Sequence, residues 1–241
     1  MDYNYNGYDR GYTEPAMTSA DYMNRTYRWM AVGLLITFAA AFVTAAPPLL
    51  YVVNSLYLVF TIAELVLVYV LSSRVQSMSV GGARATFFAY ALLNGMVLSY
   101  YFLVFDLGTL VLAFLATSLY FGLMAVYGTT THQDLSGWGP KLMMCLFALI
   151  ITGFVGMLFG MSFLTTVLYS AVGLVVFMLL TAYDTQKLSQ MFSYYAYDGE
   201  LAEKASIYGA LTLYLDFINI FLYVVRLLGM NSRRRDRKSV V

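Results

Sequence analysis

Five ionisable residues stand in or beside long apolar stretches, where a charge is costly. They are Glu64, Arg74, Asp184, Asp216 and Arg226. Asp216 is the most demanding, because it falls at the centre of SIYGALTLYLDFINIFLYVVRLLG, residues 206–229. A carboxylate at mid-membrane costs about 2.5–3.5 kcal/mol even on the lenient insertion scale, so it must face protein, water or a partner charge. Asp184 closes the preceding apolar stretch, in TAYDTQKL. Two carboxyl groups brought together in a low dielectric cannot both ionise easily and share one proton. Such a pair responds to pH and can bias a helix movement. Carboxylates are also the hard oxygen donors that calcium prefers, but two acids alone make only a weak site. The expectation is a pH sensor at Asp184 and Asp216 that holds a cytoplasmic-side gate, with Arg74 modulating it by pairing with either acid.

The elements that must carry these residues are membrane helices. The chain is 61% hydrophobic and only 11% charged, too little charge for the surface of a soluble domain. The apolar residues come in runs of the length a helix needs to cross a core of about 30 Å. They lack the period-two alternation of barrel strands. Seven spans are expected near Trp29–Ala46, Val52–Leu71, Ala85–Phe105, Gly108–Gly128, Leu142–Gly160, Leu164–Tyr183 and Ile207–Leu228. The chain therefore reads as an all-α polytopic membrane protein. Residues 1–27, polar and rich in tyrosine, read as a disordered cytoplasmic tail. Residues 28–229 read as the transmembrane domain and 230–241 as a basic tail.

Lysine and arginine fix the expected orientation. Arg25, Arg28, Arg74, Arg84, Lys141, Lys187 and Lys204 lie before the first run or in the longer connections, and the three short links carry none. The positive-inside rule then places the N-terminus in the cytoplasm. Net charge is +1, which gives no general basic character to attract nucleic acid. The single histidine, His132, and the single cysteine, Cys145, leave no material for a histidine zinc site, a Ser–His–Asp triad or an internal disulfide. No cofactor is expected; calcium enters as a transported ion, and protons and the lipid bilayer are the other partners.

Spacing suggests further contacts. Glu64 and Arg74 are ten residues apart, as are Asp216 and Arg226. Spans two and seven run in opposite directions, so as neighbours they would set Arg74 level with Asp216 and Glu64 level with Arg226. An intramembrane ion pair between Glu64 and Arg226 is therefore expected. Gly156 and Gly160 form a small-xxx-small pair suited to close helix packing.

The stretches TAYDTQKL and GALTLYLDFINIFLYVVRLLG, with THQDLSGWG before the fifth run, resemble the bacterial branch of the Bax-inhibitor membrane family. The likeness extends from about residue 25 to residue 229. It implies seven helices, with two three-helix layers around a central last helix. It also implies residence in a bacterial inner (plasma) membrane and a pH-sensitive calcium leak. The aspartates at 184 and 216 would be the sensor, Arg74 the latch, and Glu64 with Arg226 the ion pair.

Two other function classes compete. An intramembrane aspartyl protease also sets two aspartates on consecutive helices, one after a tyrosine, as in Tyr183-Asp184. Its second acid, however, follows Gly-x-Gly, whereas Asp216 follows Tyr214-Leu215. A non-transporting regulator of another membrane complex is the third class. A retinal-type receptor is disfavoured because the last span has no lysine for a Schiff base.

Overall fold

The long apolar runs all become helices, and four of them start at side chains that cap exposed backbone N–H groups. The structure is a computed structural model that describes residues 17–239, with side chains described for 17–230. The helices are α1 (Ser19–Thr44), α2 (Pro47–Ser55), α3 (Tyr57–Arg74), α4 (Val80–Leu98), α5 (Tyr101–Val104), α6 (Leu107–Thr130), α7 (Gly139–Phe159), α8 (Phe163–Tyr195) and α9 (Gly199–Ser239). Among the described residues there is no strand. Seven stretches are long and apolar enough to cross a membrane. Thr18 caps α1 in a capping box with Asp21, and Ser79, Asp106 and Ser162 cap α4, α6 and α8 through their side-chain oxygens. Each satisfies donors that the first helical turn leaves open.

The last helix is the axis of the bundle. α9 packs against α1, α4, α6 and α8. On one side, α1 packs on α4 and α4 on α3; on the other, α6 packs on α8 and α8 on α7. Two apolar clusters fill the bundle. One gathers Phe87, Leu211 and Tyr214, the other Phe177, Ile220 and Val225. α3 and α7 lie outermost and turn most of their apolar surface outward, as helices in contact with lipid do. Close approach at two crossings depends on glycine. A Cβ on Gly95 would overlap the Thr37 carbonyl, and one on Gly128 would overlap that of Ala182.

α9 crosses the whole bundle. Near its start Glu203 meets Arg25 and Arg84, at the beginnings of α1 and α4. Near its end Gly229 lies against Phe105, in the link between α5 and α6. The intervening 26 residues rise about 39 Å, enough for a complete span with its interfaces. The end holding Glu203 is called the near face below, and the end holding Phe105 the far face.

Several expected boundaries move. Helix α1 begins at Ser19, so residues 17–27 are not a disordered tail. Tyr22 is fully buried and donates from its hydroxyl to the Ala205 carbonyl at 3.3 Å. Residues 1–16 of that expected tail lie outside the described residues. Helix α8 continues twelve residues past Tyr183, because Leu188, Phe192 and Tyr195 keep one apolar face on the core after the hydropathy has fallen. Only Ala196–Asp198 separates it from α9, whose first amide groups are accepted by Asp198 Oδ1, from Glu200 at 2.9 Å and Leu201 at 3.0 Å. The backbone of α9 stays helical through Ser239, and residues 240–241 lie outside the described residues. The Gly156–Gly160 pair is not a helix crossing. Gly160 ends α7 with φ 76°, a conformation that favours glycine, and Gly156 abuts Met161 of the same turn.

Candidate functional site

The short turn between α8 and α9 determines where the two aspartates meet. Asp184 lies 13 residues before Tyr197 and Asp216 lies 19 after it, so their α-carbons differ in depth by about 9 Å. Side chains lean toward the N-terminus of their own helix. In this antiparallel pair Asp184 therefore leans toward the far face and Asp216 toward the near face. The two carboxyl groups converge, and Asp216 lies in the electric field of Asp184. No bend in either helix is needed. No direct hydrogen bond joins them, and Asp216 Oδ2 is buried without a hydrogen-bond partner. The two acids therefore act on one another through space rather than through a hydrogen-bonded shared proton.

Asp216 is 5% exposed. Thr181, one turn before Asp184, stands beside it, with its hydroxyl donating to the Phe177 carbonyl at 2.8 Å. The next residue, Phe217, packs edge-on against Phe121 at 5.6 Å between ring centres. Asp184 is half-buried and nearer the surface. The cation that acts on it is Lys187 of its own helix, which also lies 5.6 Å from the Tyr183 ring centre. Among the described residues no three His, Cys, Asp or Glu side chains cluster closely enough to hold a metal ion. Two carboxylates in a mostly apolar wall suit transient cation contact rather than storage.

Arg74 does not latch the pair. It is exposed at the end of α3 and forms no ion pair among the described residues. The reason is packing: α3 lies against α4, and the following turn, Val75–Ser77, is what reaches α9.

Glu64 and Arg226 also stay apart. Glu64 faces Asn94 and Tyr90 of α4, with Oε1 buried and unpartnered. Arg226 faces Tyr223, Tyr101 and Tyr169 instead. The expected pair assumed that α3 neighbours α9, and α4 occupies that place.

Three polar groupings were not anticipated. Glu203 joins three helices: Arg25 pairs with it at 2.5 Å, Arg84 at 2.7 Å, and the Trp29 indole N–H donates to it at 3.3 Å. The Arg84 guanidinium lies 4.9 Å from the Trp29 ring centre. Gln186, beside Asp184, clamps the THQDLSGWG connection by accepting from the Leu135 amide and donating to the Gln133 carbonyl, both at 2.8 Å. On the other side of α9, the Tyr214 hydroxyl donates to Asn94 Oδ1 at 3.0 Å and lies 2.6 Å from the Thr37 hydroxyl.

A family model described as "Inhibitor of apoptosis-promoting Bax1" matches residues 19–233. The chain belongs to the Bax inhibitor family. It is 40% identical over 222 residues to the inner membrane protein YbhL of Escherichia coli strain K12, covering 90% of this chain and 94% of that relative. A protein of Deinococcus radiodurans, described as uncharacterized, is 40% identical over 207 residues, covering 86% of this chain and 89% of its own length. A third, from Borreliella burgdorferi and also described as uncharacterized, is 36% identical over 222 residues, covering 89% and 93%. The matched stretch contains every helix bearing the acid pair, the Glu203 junction and the Gln186 clamp.

Proposed function

We propose that this membrane protein is a pH-sensitive leak for cations, with calcium as the ion and Asp184 and Asp216 as the sensor. The supporting observation is the buried, unpartnered oxygen of Asp216 in the field of a second carboxyl group. A proton held by either acid removes their repulsion and lets α8 and α9 stay packed on the near side. Without that proton, two like charges face each other in a poorly solvated place, and the pair is relieved by helix separation or by a cation. Calcium, a hard cation, is the favoured counter-charge for carboxylate oxygens. Lys187, the neighbouring cation, takes over the modulating role first expected of Arg74.

The near face is the cytoplasmic one in this proposal, because Arg25, Arg28, Arg84, Lys187 and Lys204 gather there. An inner-membrane location accords with YbhL, the inner membrane protein of Escherichia coli that this chain resembles. The decisive experiment is calcium flux into proteoliposomes from about pH 5 to about pH 8, a range in which folded proteins are commonly most stable. Wild type is compared with Asp184→Asn and Asp216→Asn. Both variants are expected to lose the pH dependence even where flux persists. An unchanged profile in both would end the sensor reading, and absence of flux at every pH would favour a regulator that transports nothing.

A further inference from the structure

Lys204 is the one buried lysine among the described residues, 7% exposed. It lies in the first turns of α9, beside the buried residues Glu203 and Ser206, where that helix packs on the turn Val75–Ser77. A buried ammonium has to be paired, and this one has two contacts. Its Nζ lies 2.7 Å from Glu200 Oε1, one turn earlier on the same helix, and donates to the Gln76 carbonyl at 3.4 Å. Glu200 is the weakly held partner of the two charges. Its side chain is 64% exposed, and water screens a pair with so exposed a member.

Lys204 borders a cavity of about 340 Å³ at the near-face ends of α3 and α8 and the start of α9. That volume falls within the range of small-molecule sites. Gln76, Tyr195 and Tyr208 share the wall with Lys204, and Val75, Met191 and Leu201 give it an apolar side. The Gln76 side-chain amide donates to the Tyr195 hydroxyl at 3.4 Å, and that hydroxyl keeps its own proton to donate. Among the described residues no acid lines the cavity. Arg74, exposed between Ser73 and Val75 of the same wall, adds a second positive charge at this corner of the bundle. An apolar wall with a few convergent polar groups is how proteins hold small organic ligands.

We propose that this cavity binds a small organic carboxylate, whose charged group takes the place of Glu200 on Lys204 while its body rests on Val75, Met191 and Leu201. Glu200 shows which group the ammonium accepts, since a carboxylate oxygen already lies against it. Glu200 is thus a built-in competitor, and a bound ligand releases it into water, where its side chain already mostly stands. The ligand bridges the near-face ends of α3, α8 and α9. The site is independent of the acid pair and of any leak: Lys204 stands twelve residues before Asp216, about 18 Å along the axis of α9.

The test uses the purified full-length protein in detergent, titrated with two probes and read by calorimetry and thermal midpoint. The probes are benzoate and benzyl alcohol, which share a ring and differ in the charge. Wild type is expected to bind benzoate about tenfold more tightly than Lys204→Gln, the effect of losing one charge-assisted hydrogen bond. Glu200→Gln removes the competitor and should bind benzoate up to about fivefold more tightly than wild type, the size of an exposed ion pair. Benzyl alcohol should bind all three equally. If Lys204→Gln does not fold, Glu200→Gln decides, because its side chain is mostly in water. Equal benzoate affinity in wild type and the folded variants overturns the proposal, as does a wild type that binds no benzoate.

Discussion

Gly128 on α6 lies directly against the Ala182 carbonyl on α8, with no room between them for a side chain. Ala182 separates Thr181 from Tyr183-Asp184, so this crossing sets how α8 presents its acid to α9. Gly128→Ala must push the helices apart, because the obstacle is backbone rather than a movable side-chain end. Overpacking of this kind costs about 1–3 kcal/mol. The thermal midpoint of the purified protein should fall, and any pH response of flux should shift with it. Gly122→Ala, on the same helix with open space where its Cβ would go, should leave both unchanged.

Gln186→Ala should loosen the connection between α6 and α7. Its two hydrogen bonds, with the Leu135 amide and the Gln133 carbonyl, would be lost together. Leu135 is 2% exposed, so its amide would be left without a partner in a poorly solvated place. An orphaned buried group costs about 1–3 kcal/mol. Hydrogen exchange should show faster exchange confined to residues 131–138, and protease should cut there first. Gln186→Glu keeps the acceptor for Leu135, so exchange at that amide should rise less than in Gln186→Ala.

Much of this was legible in the sequence, and the rest failed for definite reasons. Run lengths gave seven spans, because the length of an apolar run is a chain-local quantity. Pairing Glu64 with Arg226 failed because hydropathy gives depth but not which helices are neighbours. The true ends of α8 and α9 were hidden because their near-face turns are amphipathic: Leu188 and Phe192 pack inward while Lys187 and Gln190 face out. Glu203 was missed because its partners Arg25 and Arg84 are 178 and 119 residues away. A signal was present nonetheless. Glu203 stands at helical spacing before the buried residues Ile207, Ala210 and Tyr214, so it had to face the bundle.

Glu203→Gln should weaken the near-face junction of α1, α4 and α9. The variant loses two ion pairs whose arginines are 41% and 42% exposed. Water and salt screen such pairs, so the loss is about 1 kcal/mol in total. The drop in thermal midpoint should narrow as salt is raised, since the screening length falls from about 10 Å at 0.1 M to about 3 Å at 1 M. A drop independent of salt would assign the effect to the Trp29 hydrogen bond instead.

Asp106 offers a pH test on the far face that is independent of the acid pair. It caps α6, accepting from the Thr109 amide at 2.9 Å and the Thr109 hydroxyl at 2.6 Å. The Thr109 side-chain and backbone hydrogen bonds hold its carboxyl below the ordinary aspartate value. A carboxyl with a lowered value in the folded state contributes stability that is complete above the unfolded value, about 3.9. That contribution is lost as pH falls through the lower folded value. Protection of the Thr109 amide from hydrogen exchange should therefore exceed that in Asp106→Ala at neutral pH. The difference should persist down to about pH 4 and shrink only below it. A difference that had already vanished well above that pH would mean that the cap does not depend on the ionised carboxylate.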